Sequence, residues 1–291
     1  MNNIKGHEYY YGYVIVVACF GIQAIGVGTY VSYGVFFNSL TSEFGWSRAA
    51  ISGASSIAFF IMGLLGIFVG RLNDKIGPKN VMAVTGFLFG LGHLLMSRLT
   101  AVWQLYMFYS FIVGIGLSSV DVIALSTTAR WFVKKRGIMT GIVKIGTGAG
   151  QLIIPLAASI LISKYGWRAS YNIIGIAVLI SLVAISQLLK RSPAHIDLFS
   201  NYSGETSPDN QVPSNKGLHL KEALRTKQFW AICSTNLTIV FCFLIIILHI
   251  VPYAQDMGFS ATKAATVLST IGGVSMVGRF IIGFTIDRIG S

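Results

Sequence analysis

Long apolar stretches alternate with short polar ones along the whole chain. Stretches such as 12–37, 51–69 and 229–251 approach or exceed the ~20 residues that a helix needs to cross a ~30 Å hydrocarbon core. The apolar runs, divided at the polar punctuation, predict eight helices, which we number in chain order. Helices one to eight are predicted at residues 12–37, 49–70, 80–97, 102–128, 137–163, 169–189, 228–252 and 263–286.

Composition supports a membrane protein and argues against several other classes. Hydrophobic residues make up 54% of the chain and charged residues only 11%, whereas a soluble domain carries roughly 25% charged residues. The net charge of +12 does not indicate a nucleic-acid partner, because the basic residues form short clusters between apolar segments. The three cysteines lie inside apolar segments without metal-ligand spacing. We therefore expect an all-α membrane protein without metal or cofactor.

The distribution of basic residues predicts the orientation of the helices. Basic residues concentrate in the connections on one side, as at Arg71, Lys75 and Lys79 after helix two. The positive-inside rule then places this side and the N-terminus in the cytoplasm. Compact connections and the lack of a targeting segment favour a bacterial cytoplasmic membrane. The expected partners are the lipid bilayer and a small solute, with no obligatory protein partner.

The long polar segment 190–227 divides the chain into two parts. It is rich in Ser, Asn and Pro and is predicted to be a cytoplasmic linker. We predict a six-helix bundle at 1–189 before the linker and the start of a second bundle, with helices seven and eight only, at 228–291. The expectation is a chain that carries two of the six helices of its second half.

A Gly-rich basic motif occurs after helix two and again after helix eight, at matching places in the two halves. Segment 70–79 resembles the signature loop of the major facilitator superfamily, and segment 283–290 resembles its second copy. In such a loop the glycines permit close packing or unusual dihedrals, and the carboxylate lies among cations and helix ends. The residues that match the motif are Gly70, Asp74, Gly77, Lys79, Gly283, Asp287, Arg288 and Gly290.

Three further segments are similar to the monocarboxylate and oxalate/formate branch of that family: 44–48, 130–137 and 224–230. The resemblance implies the major facilitator fold, with eight of an expected twelve transmembrane helices present. It also implies secondary transport of small carboxylate anions by alternating access between the halves. Protons or a counter-anion would drive it, and no cofactor is implied.

Arg279 in helix eight is the predicted substrate-binding cation. It lies eight residues before Asp287, which at ~1.5 Å per residue places it ~12 Å inside the helix end. Its planar fork can hold a carboxylate bidentately. In the carboxylate branch that this chain resembles, an arginine at this place is the partner of the substrate anion. The alternative is a structural arginine that binds a carboxylate or a carbonyl group.

Asp121 in helix four and Lys144 in helix five lie at comparable depth and could meet. A neutralising pair would lower the burial cost of both charges. Alternatively, Asp121 carries a proton and Lys144 is a second anion contact. Many of the monocarboxylate transporters that the chain resembles have an acidic residue where Ser275 stands and a lysine in helix one, which here has no basic residue. Anion exchange and a proton path through Asp121 therefore both stay open.

Tyr30 and Tyr33 in helix one could present hydroxyl groups to a substrate cavity, although aromatic packing is the alternative. We predict no catalytic residues, because the chain lacks a zinc-protease motif, paired aspartates and a Ser/His arrangement. A channel or receptor would not predict the repeated loop motif. A transporter of another small solute and an inactive truncated product are the remaining alternatives.

Overall fold

The computed structural model describes residues 2–132, 136–192, 222 and 224–289, with side chains omitted at 2–10 and at several positions after 279. Within these residues the chain is helical, with turns and short bends and no strand. Each of the eight predicted segments overlaps an observed helix, but helix three ends at Met96 and helix six at Ser186, before their predicted ends at 97 and 189. Helices one to four comprise Asn2–Val31 continued by Tyr33–Phe44, then Arg48–Ile76, Pro78–Met96, and a run of Val102–Leu105, Tyr106–Val113 and Gly114–Trp131.

Helices five and six form a 51-residue helical run, Arg136–Ser186, with a kink. The kink lies at Gly166, whose φ of 76° and ψ of 164° are not helical. The sequence predicts a connection of several residues here. One glycine suffices, because it adopts a positive φ without the steric penalty of a Cβ. Helix seven is Lys227–Asp256 and helix eight is Ala261–Ile289.

Local sequence explains where several helices begin. Ser47 precedes helix two, and its hydroxyl accepts a hydrogen bond from the main-chain N–H of Ala50. Thr226 does the same for helix seven through Phe229. Such caps satisfy amide groups that the first helical turn leaves without a partner. Within helix four, Tyr106–Val113 is π-helical.

Helix five is held between helices one and eight by backbone contacts at glycines. A Cβ on Gly146 would lie 2.4 Å from the carbonyl oxygen of Phe20, and one on Gly150 would lie 1.9 Å from that of Ala24, both in helix one. A Cβ on Gly148 would lie 2.8 Å from the carbonyl oxygen of Gly272 in helix eight. Small residues allow this close approach of helices in lipid.

The outside of the helix bundle is strongly apolar. Large hydrophobic side chains are exposed along helix two, as at Phe60 and Ile67, and along helix seven, as at Leu237 and Phe241. Within the described part of the chain, six helical segments are long and apolar enough to cross a membrane. They are Tyr11–Phe44, Arg48–Ile76, Pro78–Met96, Val102–Trp131, Arg136–Ser186 and Lys227–Asp256.

The predicted division into two bundles stays a prediction. Most of the linker 190–227, including all residues from 193 to 221, lies outside the described residues.

Candidate functional site

Asp121 and Lys144 form an ion pair between helices four and five. The Lys144 Nζ lies 2.5 Å from Asp121 Oδ1. The pair is partly accessible, since 35% of the Lys144 side chain and 50% of the Asp121 side chain are exposed. Each charge therefore has a partner of opposite sign, which lowers the cost of placing both inside a membrane.

Gln23 of helix one completes the surroundings of Asp121. Its side-chain Nε2 donates to Asp121 Oδ1 over 2.7 Å, and its Oε1 accepts from Thr147 Oγ1 over 2.9 Å. Gln23 is fully buried. The sequence analysis did not identify Gln23 or Thr147 as site residues. The available signal was an amide in the middle of an apolar helix, where a buried polar group needs a partner.

Arg279 of helix eight meets helix five at the same place. Its Nη1 donates a hydrogen bond to the main-chain carbonyl of Lys144 over 2.9 Å. Its side chain is partly buried. Among the described side chains, no carboxylate forms an ion pair with Arg279. We call the group of Gln23, Asp121, Lys144, Thr147 and Arg279 the polar centre.

The hydroxyl groups of Tyr30 and Tyr33 form hydrogen bonds with residues outside the polar centre. The Tyr33 hydroxyl donates to the carbonyl of Ile51 over 2.8 Å, and the Tyr30 hydroxyl lies 3.1 Å from Ser55 Oγ. Both partners are in helix two. Tyr33 also stacks on Tyr109 with 4.1 Å between ring centroids. Both rings line a cavity of about 30 Å³ between helices one, two and seven. Their predicted role in substrate binding stays a prediction.

The first loop motif joins the ends of helices two, three and four. Gly77 has a φ of 86° and its N–H closes helix two on the Asn73 carbonyl, so the turn requires a glycine. The Asp74 carboxylate accepts from Arg130 at the end of helix four, 2.5 Å away. A Cβ on Gly70 would lie 3.9 Å from Val122 Cγ1, and Lys79 is exposed.

The second loop motif is only partly described. Gly283, Asp287 and Arg288 lie in helix eight, but their side chains lie outside the described part of the structure, as does Gly290 altogether. Their predicted roles stay predictions.

Helices one and two contact helix seven at the end of the bundle opposite Gly77, which we call the Arg48 end. The Arg48 guanidinium binds the Asp256 carboxylate in a bidentate pair, with distances of 2.7 and 2.8 Å. Beside it, Asn38 donates to the side-chain oxygen of Gln255. These contacts join the first six helices to helix seven at this end.

Residues that bind metals do not cluster in the described part of the chain. No group of three or more His, Cys, Asp or Glu side chains within them could hold a metal ion. The polar centre instead combines fixed charges of both signs with hydrogen-bond donors. Fixed charges and hydrogen-bond donors of this kind are typical of a site that binds a charged solute.

Proteins with similar sequences are transporters. The chain is 28% identical over 271 residues to the oxalate:formate antiporter of Oxalobacter formigenes, covering 90% of this chain and 60% of that protein. It is 27% identical over 284 residues to monocarboxylate transporter 2 of Homo sapiens, covering 94% and 59% respectively. It is 28% identical over 286 residues to the transporter ESBP6 of Saccharomyces cerevisiae, covering 96% and 42%. The chain thus spans about half the length of these relatives.

Solved structures with a similar fold are also transporters. A bacterial homologue of the human lysosomal transporter Spinster superposes with a TM-score of 0.71 at 16% identity, covering 92% of this chain and 61% of that one. A D-xylose–proton symporter superposes with a TM-score of 0.62, also at 16% identity, and the match covers 92% of this chain and 67% of the symporter. The sequence model of the Major Facilitator Superfamily matches residues 16–291. The predicted all-α fold is therefore confirmed, and the chain belongs to the Major Facilitator Superfamily.

Proposed function

We propose that this protein is a secondary active transporter of small organic carboxylate anions, working by alternating access. The observation that carries the proposal is the positive charge of Arg279, which lies in the polar centre without a carboxylate partner among the described residues. The names of two relatives, an oxalate:formate antiporter and a monocarboxylate transporter, support the same class of substrate.

The balance of charge in the polar centre favours an anion. Asp121 neutralises Lys144 at 2.5 Å, and the amides and hydroxyl of Gln23 and Thr147 are uncharged. Arg279 therefore leaves the centre with a net positive charge. An unpaired cation is costly at membrane depth, and a bound carboxylate would compensate it.

The chemistry of arginine narrows the ligand to carboxylates and similar planar anions. A guanidinium presents parallel N–H donors that match two carboxylate oxygens, a geometry that an ammonium does not reproduce. In the structure one of these donors binds the Lys144 carbonyl. We propose that the substrate carboxylate takes the place of this carbonyl, so that binding loosens the contact between helices five and eight.

The ion pair of Asp121 and Lys144 has one of two roles in transport. If the pair is structural, it stays closed at 2.5 Å throughout the cycle and the protein exchanges anions. If Asp121 carries a proton, its protonation releases Lys144, which then becomes a second contact for the anion. The partial exposure of both side chains supports access of protons to the pair. Gln23 would hold Asp121 in place in both cases.

The conformational cycle follows from the contacts between the two parts of the chain. Bidentate pairing of Arg48 with Asp256 closes the Arg48 end in the structure. With the N-terminus in the cytoplasm, this is the outer end, and the substrate would reach Arg279 from inside. We propose that the bundle 1–189 and the part 228–291, joined by linker 190–227, rock against each other in a bacterial cytoplasmic membrane.

A transport screen tests the proposal directly. The protein, expressed from its full reading frame, is reconstituted in liposomes and offered labelled formate, oxalate, lactate and longer keto and aromatic acids. Each acid is tested with and without an imposed pH gradient and with internal counter-anion. We expect saturable uptake of at least one acid. Uptake of neutral solutes alone would contradict a carboxylate transporter, and the pH-gradient arm separates symport from exchange.

A further inference from the structure

Gln151 of helix five is a buried amide that forms no side-chain hydrogen bond with the described part of the chain. Its side chain is fully buried, and neither Nε2 nor Oε1 has a partner among the described residues. Buried polar groups are nearly always paired, because an unpaired one loses its hydration without compensation. A buried amide that makes no hydrogen bond in this conformation is explained if it makes one in a different conformation of the protein.

Gln151 lies on the seam between helices five and eight. It is seven residues after Lys144, so the two lie on one face of helix five about 10 Å apart along the axis. Opposite it is Gly272, where a Cβ would lie 2.6 Å from the Gln151 Cβ. The backbone of helix eight therefore covers Gln151 directly. Toward Lys144 the same seam continues through Gly148 to Arg279.

Two further buried hydroxyl groups on the adjoining helices also have no partner among the described residues. They are Thr29 Oγ1 of helix one, next to the Gly28–Gly150 contact, and Ser269 Oγ of helix eight, one turn before Gly272. Polar atoms without a partner among the described residues thus occur on helices one, five and eight. Separation of helix eight from helix five would give Gln151 and Ser269 access to water or to a ligand.

We propose that Gln151 is a substrate-contacting residue that binds a distal polar group of the transported acid once helix eight moves away from helix five. This inference rests on the proposed function, with the carboxylate held at Arg279. Lys144 and Gln151 are about 10 Å apart along the axis of helix five. The side chains of Arg279 and Gln151 both reach into this distance. The gap that remains suits a hydroxyl, keto or second carboxylate group several bonds from the first carboxylate. Gln151 would then set the preference for substituted over plain monocarboxylic acids.

The test compares two acids of equal charge and chain length, 5-hydroxypentanoate and pentanoate. Liposomes carry the parent protein or Gln151→Met, which keeps the side-chain size and removes both amide atoms. Gln187→Met is the matched control, because Gln187 is exposed near the end of helix six. We expect Gln151→Met to lower the ratio of kcat/KM for the hydroxy acid over pentanoate about tenfold. Gln187→Met should leave the ratio unchanged.

Thermal unfolding of the same purified variants gives a second readout. Gln151→Met should melt at or above the parent temperature, because it removes an amide that is unpaired in the closed seam. A lower melting temperature of Gln151→Met than of the parent, or an unchanged ratio of kcat/KM for the two acids, would overturn the role of Gln151. In that case, pentanoate uptake by the parent would still support the proposed function. If the parent carries neither these two acids nor any acid of the screen, the proposed function fails, and this inference with it.

Discussion

The Arg279 guanidinium and the Lys144 main-chain carbonyl are joined by a 2.9 Å hydrogen bond between helices eight and five. Two basic residues thus meet without their charges facing each other, because the Lys144 ammonium is bound to Asp121. The contact joins the first six helices to helix eight at the depth of the polar centre. The Nη1 group that binds this carbonyl is one of the two donors that the proposed substrate carboxylate would use.

Arg279→Lys keeps the charge but removes the planar fork. We expect it to lose most carboxylate transport, by about tenfold or more in kcat/KM, because a point charge cannot bind a carboxylate bidentately. Uptake of the best acid from the screen measures the effect, with the melting temperature as a check on folding. Arg279→Lys or Arg279→Gln transporting at the parent rate would show that the assigned role is wrong.

Asp121→Asn and Lys144→Ala test whether the ion pair is structural. Each single change leaves one charge without its partner, so each should lower stability by about 1 kcal/mol or more, whereas the double change should be milder than the sum. Thermal unfolding in detergent measures the coupling. If the pair instead carries protons, Asp121→Asn abolishes the response of uptake to a pH gradient and spares counterflow. Strictly additive stability losses and an unchanged pH response would argue against both roles.

Arg48 and Asp256 provide a charge-swap test of the closed Arg48 end. Arg48→Asp or Asp256→Arg places like charges together and should open this end, while the double swap restores the pair. An exposed ion pair stabilises one conformation only weakly, so shifts of up to about fivefold in population are expected. Spin labels on Ser42 and Ser260, both exposed, report the distance across the end. Equal distance distributions in all four proteins would contradict a closing role.

Gly150 and Gly63 form a matched pair for the packing of helix five. A Cβ on Gly150 would lie 1.9 Å from the Ala24 carbonyl oxygen, whereas one on Gly63 meets nothing within 4 Å. Gly150→Ala should therefore push helices one and five apart and lower the melting temperature clearly. Gly63→Ala should be neutral or stabilising by up to about 1 kcal/mol through helix propensity. Similar melting temperatures for the two variants would show that helices one and five accommodate the added methyl group at little cost in stability.

Gly77→Ala tests the turn of the first loop motif. Alanine at a φ of 86° is strained, so we expect a loss of about 1 kcal/mol or more. Gly70→Ala, in the same motif but with only an ordinary contact to Val122, serves as the control and should cost less. Chemical or thermal unfolding of both variants measures the difference, and a larger loss for Gly70→Ala would contradict the assignment.

Hydrophobic patterning predicts the helices well because membrane spans need long apolar runs, and each of the eight predicted segments overlaps an observed helix. Residue spacing also predicts the common depth of Asp121 and Lys144. Spacing along one helix does not tell which neighbour a side chain faces, so Gln23 was missed, although it binds Asp121. For the same reason the sequence does not predict that the hydroxyl groups of Tyr30 and Tyr33 bind helix two. The sequence thus predicts how deep in the membrane a side chain lies, whereas the packing of the helices decides which neighbouring helix it faces.

The glycines of helix five also bear on how the two halves can move. Gly146 and Gly150 fix this helix to helix one, whereas Gly148 touches helix eight through the Gly272 backbone. On the helix-eight side, a Cβ on Gly148 would also lie 2.4 Å from Cγ of the Met276 side chain. Helix five therefore meets helix one backbone to backbone, whereas toward helix eight the space left by Gly148 receives Met276, so a separation of helices five and eight has to withdraw that side chain.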